Sequence, residues 1–213
     1  MSRLMRQVRA EETRNALLLA AARMFDREGY DRTTLAAISD LAAVSKGALS
    51  FHFSSKAELA DAVQYLSCER ARAELGALDD PTVPAIEALA AVVRAAAHGL
   101  ATDPLARAGL RLVRERGTSP TSALDCRQAW RTALERVVLR AYEERSLRPG
   151  VNPTTVVDLA LALVLHQEAV LPDRDRDSWL TDVWNLVLPA LTHPTAPTRT
   201  TPALTTGGEP SGR

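Results

Sequence analysis

Apolar residues recur at helical spacing along most of the chain. Over residues 10–28, Leu17, Leu18, Ala21, Met24 and Phe25 form one stripe. Gly29 follows as a C-terminal stop, a left-handed position that glycine fills without a Cβ penalty. Thr33 or Thr34 caps a second helix with Leu35, Ile38 and Leu41 on one face. Val44 and Ser45 interrupt it, and Ser45 caps a third, short helix. Ser54 and Ser55 open a fourth over roughly 55–77, with Glu58 placed three residues after Ser55 for a capping box. Asp79-Asp80-Pro81-Thr82-Val83-Pro84 then breaks the pattern. Five further apolar stretches follow at about 84–100, 104–116, 121–145, 153–170 and 175–191, punctuated by Asp103-Pro104, Ser119-Pro120, Pro149-Gly150 and Pro172-Asp173. No run alternates at strand period, so the pattern predicts an all-α fold. Residues 192–213 are rich in Pro, Thr and Gly, too poor in apolar groups to pack, and expected to be disordered.

Composition narrows the picture. Apolar residues make up 46% and aromatics 4%, so the core must be built from Leu, Ala and Val. The charges balance, 26 basic against 26 acidic, and their placement matters more than their sum. Arg3, Arg6 and Arg9 precede the first acid, Glu11, which makes the N-terminus either a basic arm or a frayed end. Both lysines of the chain, Lys46 and Lys56, fall around the third short helix. Cys68 and Cys126 are too few and too far apart for a metal or redox motif and are expected as small buried groups. The N-terminus lacks a signal-peptide pattern, and the longest uncharged apolar stretch, Leu159 to Leu165, is too short to span a membrane. A soluble, cytoplasmic chain is expected, with no membrane partner. No nucleophile–base pair, Gly-rich phosphate loop or metal spacing is present, and His52, His98, His166 and His193 do not cluster in sequence. Neither a catalytic site nor a metal or cofactor is expected.

Residues 33–56, TTLAAISDLAAVSKGALSFHFSSK, read as helix, tight turn, helix. That shape reads DNA when the second helix fits the major groove. Leu49 and Phe53, one turn apart, anchor the short helix and leave Lys46, Gly47, Ala48 and Ser50 facing outward. Gly47 and Ala48 permit close approach to a base or a thymine methyl, and Lys46 reaches a phosphate or a guanine edge. Thr33 and Thr34 at one helix start, and His52 and Lys56 at another, are placed for phosphates. With Ser45 and Phe51 these complete the candidate DNA-contacting set. The same spacing also suits an ordinary helical corner.

Here the residues resemble a family. Phe25, Gly29-Tyr30, Thr34, Ile38, the run Val44-Ser45-Lys46-Gly47, Leu49, His52-Phe53, and Lys56 followed by Glu58-Leu59 are similar to the N-terminal domain of the TetR family of bacterial repressors. The resemblance implies an all-helical homodimer with a palindromic double-stranded DNA operator and a ligand-binding C-terminal domain. With the boundary placed at the fourth helix and the tail read from its composition, the chain divides into a DNA-binding head with its basic arm (1–56), a ligand-binding and dimerisation domain (57–191) and a tail (192–213). Two residues depart from the resemblance: Ala43 stands where the family usually has a turn glycine, and Ser50 where it usually has a tyrosine that contacts the DNA backbone.

A narrower resemblance spans the rest. Lys46-Gly47-Ala48-Leu49 with Phe51-His52-Phe53, then Arg107-Ala108-Gly109-Leu110-Arg111-Leu112, then Trp130-Arg131, are similar to the γ-butyrolactone receptors of streptomycetes, which regulate antibiotic production. That likeness implies a small hydrophobic signal or an antibiotic as ligand, because the group includes pseudo-receptors with other effectors. It places Trp130 on the pocket wall; by its pattern alone Trp130 is equally a core tryptophan. Gln64 and Ser67 are one turn apart on the fourth helix and can face a pocket, and His166 and Gln167 interrupt an apolar helix. Val164 stands near the position where the receptors carry a hydrogen-bonding residue. Helices 153–170 and 175–191, the second with Trp179 and Trp184, are the expected dimerisation pair. An efflux regulator with another ligand, and a DNA-binding protein with a solidly filled C-terminal core and no effector, are the competing readings.

Overall fold

A computed structural model describes residues 2–117, 123–170 and 176–193, without the side chains of residues 2–4, 166–170 and 176–178. Among the described residues the chain is helical throughout: α1 Ser2–Glu28, α2 Leu35–Leu41, α3 Lys46–His52, α4 Lys56–Gly76, α5 Ala85–Thr102, α6 Pro104–Arg116, α7 Cys126–Glu143, α8 Pro153–Val170 and α9 Arg176–Leu191. The expected elements are present, with two boundary corrections. α1 starts at Ser2 rather than residue 10, since nothing in the basic segment breaks a helix and Arg, Leu and Met favour one. α7 starts at Cys126 rather than 121, because the Asp125 carboxylate accepts from the Arg127 N–H and caps it there. The expected disordered tail lies outside the described residues except for Thr192 and His193. These two are held by the 146–148 segment: Arg148 Nε–H donates to the Thr192 carbonyl at 2.7 Å and His193 N–H to the Ser146 carbonyl.

Two apolar cores form. The first gathers Leu17, Leu18, Ala21 and Phe25 of α1 around Ile38, Leu49, Phe53, Leu59 and Val63. It is completed from outside the head by Leu105, Ala108 and Leu112 of α6. The second joins α5, α7, α8 and α9 around Leu89, Val93, Val137, Val157, Leu180 and Trp184, and it includes Leu110 and Val113 of α6 and Cys68 and Leu75 of α4. α4 and α6 therefore each contribute to both cores. α5 is long and apolar enough to cross a membrane by length and composition alone, a test that a buried core helix also passes. Here its buried residues, from Ala85 to Leu100, form one wall of the second core.

The α2–α3 turn is built by side chains near it in sequence. Thr34 Oγ1 accepts from Ala37 N–H and Ser45 Oγ from Ala48 N–H, each closing a helix start. Ser39 Oγ donates to the Val44 carbonyl inside the turn. The turn places Ala43 at φ +54°, in the left-handed region, where a Cβ costs roughly 1 kcal/mol relative to glycine. Ala43→Gly is expected to stabilise the protein by about 0.5–1 kcal/mol, read as a rise in urea midpoint. An unchanged or lower midpoint would contradict the strain.

Candidate nucleic-acid interface and adjoining cavity

α3 presents two faces. Leu49 and Phe53 are buried, with the Arg14 guanidinium 5.4 Å from the Phe53 ring centroid. Ser45, Lys46, Gly47, Ser50 and Phe51 are exposed, while Ala48 and His52 are half-buried. Phe51 is 82% exposed and makes an edge-to-face contact with His52 at 5.2 Å. A large apolar ring left this far in water asks for a partner outside the chain. A Cβ built on Gly47 would meet nothing within 4 Å, so packing within this chain does not require glycine there. Thr34 is also exposed, at the start of α2.

Two residues expected on this surface are turned inward. Thr33 is fully buried, and its hydroxyl donates to the carbonyls of Gly29 at 2.6 Å and Met24 at 3.2 Å. Lys56 donates to the carbonyls of Tyr30, Asp31 and Thr33 at 2.9, 3.3 and 3.1 Å, and its ammonium lies 4.4 Å from the Tyr30 ring centroid. Three carbonyls and a ring face take up its charge, so it clasps the α1–α2 turn from the start of α4. A phosphate role for either residue would require breaking these bonds.

The head is fastened to α6 through charge. Arg107 forks onto Asp26 at 2.8–3.1 Å and also donates to the Leu100 and Ala101 carbonyls. Arg111 donates to the Asp26 carbonyl at 2.7 Å and to Glu115, which accepts from Tyr30 N–H at 2.6 Å. Burial works against the Glu115 charge, but the Tyr30 N–H and Arg111 outweigh it and hold the carboxyl below its usual range. Gly29 (φ +84°) faces this clasp, and a Cβ there would sit 2.6 Å from Arg111 Nη2 and 2.7 Å from Glu115 Oε1. Nothing in the RAGLRL run marks Arg107 and Arg111 as couplers, because the Asp26 they share lies 81 and 85 residues away.

A cavity of about 450 Å³ opens among α4, α5, α6 and α7. Ser67, Ala71 and Leu75, then Ala95, Ala96, His98 and Gly99, then Ala106 and Trp130 form its wall. Small α5 side chains leave the room, and Trp130 (4% exposed) bounds one side. Arg70 stands at the rim in ion pairs with Glu74 at 2.8 Å and Asp103 at 3.3 Å. A second space of about 360 Å³, sharing Ala95 and His98, reaches Leu180 and Thr181 of α9.

Of the expected ligand residues, Ser67 and Trp130 line the cavity. Gln64 does not: it is fully buried, accepts from Arg116 at 2.6 Å and donates to the Leu124 carbonyl at 3.4 Å. Val164 is buried in the second core, away from the cavity wall. The side chains of His166 and Gln167 lie outside the described residues.

A capped three-helix head with a polar-faced short helix, sharing α4 and α6 with a hollow helical domain, is the build of a helix-turn-helix transcriptional regulator. Residues 17–63 match the bacterial regulatory proteins of the tetR family. The A-factor receptor protein of Streptomyces griseus is 28% identical over 197 residues, covering 89% of this chain and 67% of that protein. The regulator TtgR of Pseudomonas putida is 50% identical over 54 residues, only 25% of this chain and 26% of TtgR. Among solved structures, CprB of Streptomyces coelicolor in complex with its operator superposes with a TM-score of 0.74 and 30% identity, over 87% of this chain and 90% of CprB. An ArpA-like γ-butyrolactone receptor gives a TM-score of 0.75 and 29% identity, over 86% and 90%. The chain belongs to the TetR family of transcriptional regulators. Within that family it is similar, over nearly its whole length, to γ-butyrolactone receptor proteins.

Proposed function

We propose that this protein is a homodimeric repressor that binds a palindromic operator and leaves it when a small hydrophobic molecule, of γ-butyrolactone type or an antibiotic, enters the cavity. The observation that carries the reading is the shared helices. α4 starts at the head, beside α3, and lines the cavity with Ser67, Ala71 and Leu75. α6 packs into both cores and clasps α1. A ligand that favours one pose of these helices shifts the head with them, to the extent of its differential affinity for the two poses. A volume of about 450 Å³ lies within the range of small-molecule sites, which counts against a filled, effector-free core.

On the DNA side, Lys46, Gly47, Ala48, Ser50 and Phe51 form the reading face, with Ser45, His52 and Thr34 at its edges. Open space beyond Gly47 suits close approach of a base pair, and Phe51 suits a thymine methyl. The dimer is assigned to α8 and α9, where Ala162, Asn185 and Leu186 are exposed.

Selection of binding sites from a random duplex library tests the reading. Enrichment of a two-fold symmetric site is expected, and no enrichment over random duplex would refute it. Ser50→Tyr is expected to tighten binding to that site several-fold by adding a phosphate contact. Equal affinities across a salt titration of the two proteins would remove Ser50 from the interface.

A further inference from the structure

The two cysteines, remote in sequence, meet at the seam between α4 and the start of α7. Cys68 and Cys126 are 0% and 1% exposed, belong to one core cluster, and carry no disulfide. The seam is fixed one turn to either side of Cys68. Gln64 donates to the Leu124 carbonyl and Arg72 to the Ala123 carbonyl, so α4 is tied to the residues just before Cys126. Gly109 of α6 closes the third side, where a Cβ would lie 3.9 Å from Cys126 Sγ. The same Gly109 Cβ would lie 2.6 Å from the Cβ of Ser67, the residue next to Cys68, so one point on α6 touches both cysteine segments. Their neighbours Ser67, Ala71 and Trp130 form the cavity wall, so the pair lies immediately behind a space large enough to admit water-sized molecules.

From this geometry we infer that Cys68 and Cys126 are a modification site: an oxidisable pair that closes into a reversible intramolecular disulfide and staples the middle of α4 to α7. The oxidant is hydrogen peroxide, a molecule little larger than water; neither thiol lines the cavity, so it must pass the wall formed by Ser67, Ala71 and Trp130. The Cys68 thiolate attacks one peroxide oxygen; the O–O bond breaks, hydroxide leaves and is protonated to water, and Cys68 becomes a sulfenic acid. The Cys126 sulfur then attacks that sulfur; the S–O bond breaks, and the hydroxyl leaves as a second water with the Cys126 proton. Two electrons from the pair reduce one peroxide to two waters. Cys68 is the attacking group because the Cys126 hydrogen bond, aided by Arg72, pulls its thiol below the usual range against the cost of burial. The hydrogen bond to Cys68 and burial push the Cys126 thiol up. An effect of the staple on operator release rests on the function proposed above; the thiol chemistry does not.

The test treats the full-length reduced protein with hydrogen peroxide, then alkylates it under denaturing conditions. The expected intact mass is that of the chain less two hydrogens, without alkyl groups, and a non-reducing gel shows a monomer. Trypsin is expected to release residues 57–70 joined to residues 117–127, and dithiothreitol to restore two alkylatable thiols. Because the bond cross-links the native fold, the oxidised melting temperature should rise by about 5–10 °C. Cys126→Ala should leave Cys68 without the joined peptide. Two free thiols, sulfinic acid without a cross-link, or a disulfide-linked dimer would overturn the inference, and an unchanged or lowered melting temperature would overturn the native staple. Loss of operator binding with the cross-link intact would bear on the proposed function alone.

Discussion

Arg107→Ala is expected to lower the unfolding free energy by about 2–3 kcal/mol and to disconnect the head from the cavity. Arg107 and Asp26 are each 22% exposed, and the guanidinium forks onto both carboxylate oxygens. Removing one partner of a largely buried pair costs roughly 3–5 kcal/mol; the remaining exposure reduces that figure, because water recovers part of the Asp26 charge. The Leu100 and Ala101 carbonyls at the end of α5 lose a donor at the same time. Arg107→Lys keeps the charge but not the fork, so it should recover less than half of the loss. A double-mutant cycle with Asp26→Asn, followed by urea unfolding, measures the coupling directly. A coupling near zero would show that the pair does not bind head to body. If the proposed function holds, α6 is one of the two helices that link the cavity to the head, so Arg107→Ala should retain operator binding yet respond more weakly to ligand.

The second large effect concerns Gly109. A Cβ there would lie 2.6 Å from Ser67 Cβ and closer still to Ser67 Oγ, so α4 and α6 approach at this point to a distance only glycine allows. Gly109→Ala should destabilise by about 1–2 kcal/mol, overpacking outweighing the roughly 1 kcal/mol that alanine gains in a helix. Ser67→Ala should not rescue it, because the obstructing Cβ remains. Ser67→Gly should, and in that background Gly109→Ala becomes neutral or stabilising. Chemical denaturation of the four proteins reads this change of sign. The same penalty in both backgrounds would mean that the helices do not meet there.

The head was legible because its determinants are local. Thr34 and Ser45 cap the helices they precede, Leu49 and Phe53 share one face at i and i+4, and Gly29 takes the left-handed stop. The same locality misled at Thr33 and Lys56. Polar residues beside a helix start resemble phosphate ligands, but their partners are carbonyls supplied by the end of α1 and the turn after it. Long-range features had weaker signals. The small residues Ala95, Ala96 and Gly99 leave room on α5, but their spacing does not place a cavity, and only the family resemblance puts Trp130 on the pocket wall. Gln64 looked like a ligand group because its partner Arg116 lies on another helix. The apolar stretch 104–116 gives no sign that its two apolar rows, Leu105, Ala108 and Leu112 against Leu110 and Val113, belong to different cores. Spacing in the chain also hid the meeting of Cys68 and Cys126.

Release of the operator, in the proposed function, depends on one coupling, between the cavity and α3. Fluorescence anisotropy of the selected operator duplex, titrated with long-chain γ-butyrolactones, butenolides and host antibiotics in turn, measures it most directly. At least one of these is expected to release the duplex from the wild-type protein at a concentration that leaves the Trp130→Ala complex bound, with both proteins binding DNA equally tightly beforehand. Operator affinity unmoved by every compound, or release unaffected by the loss of Trp130, would contradict it.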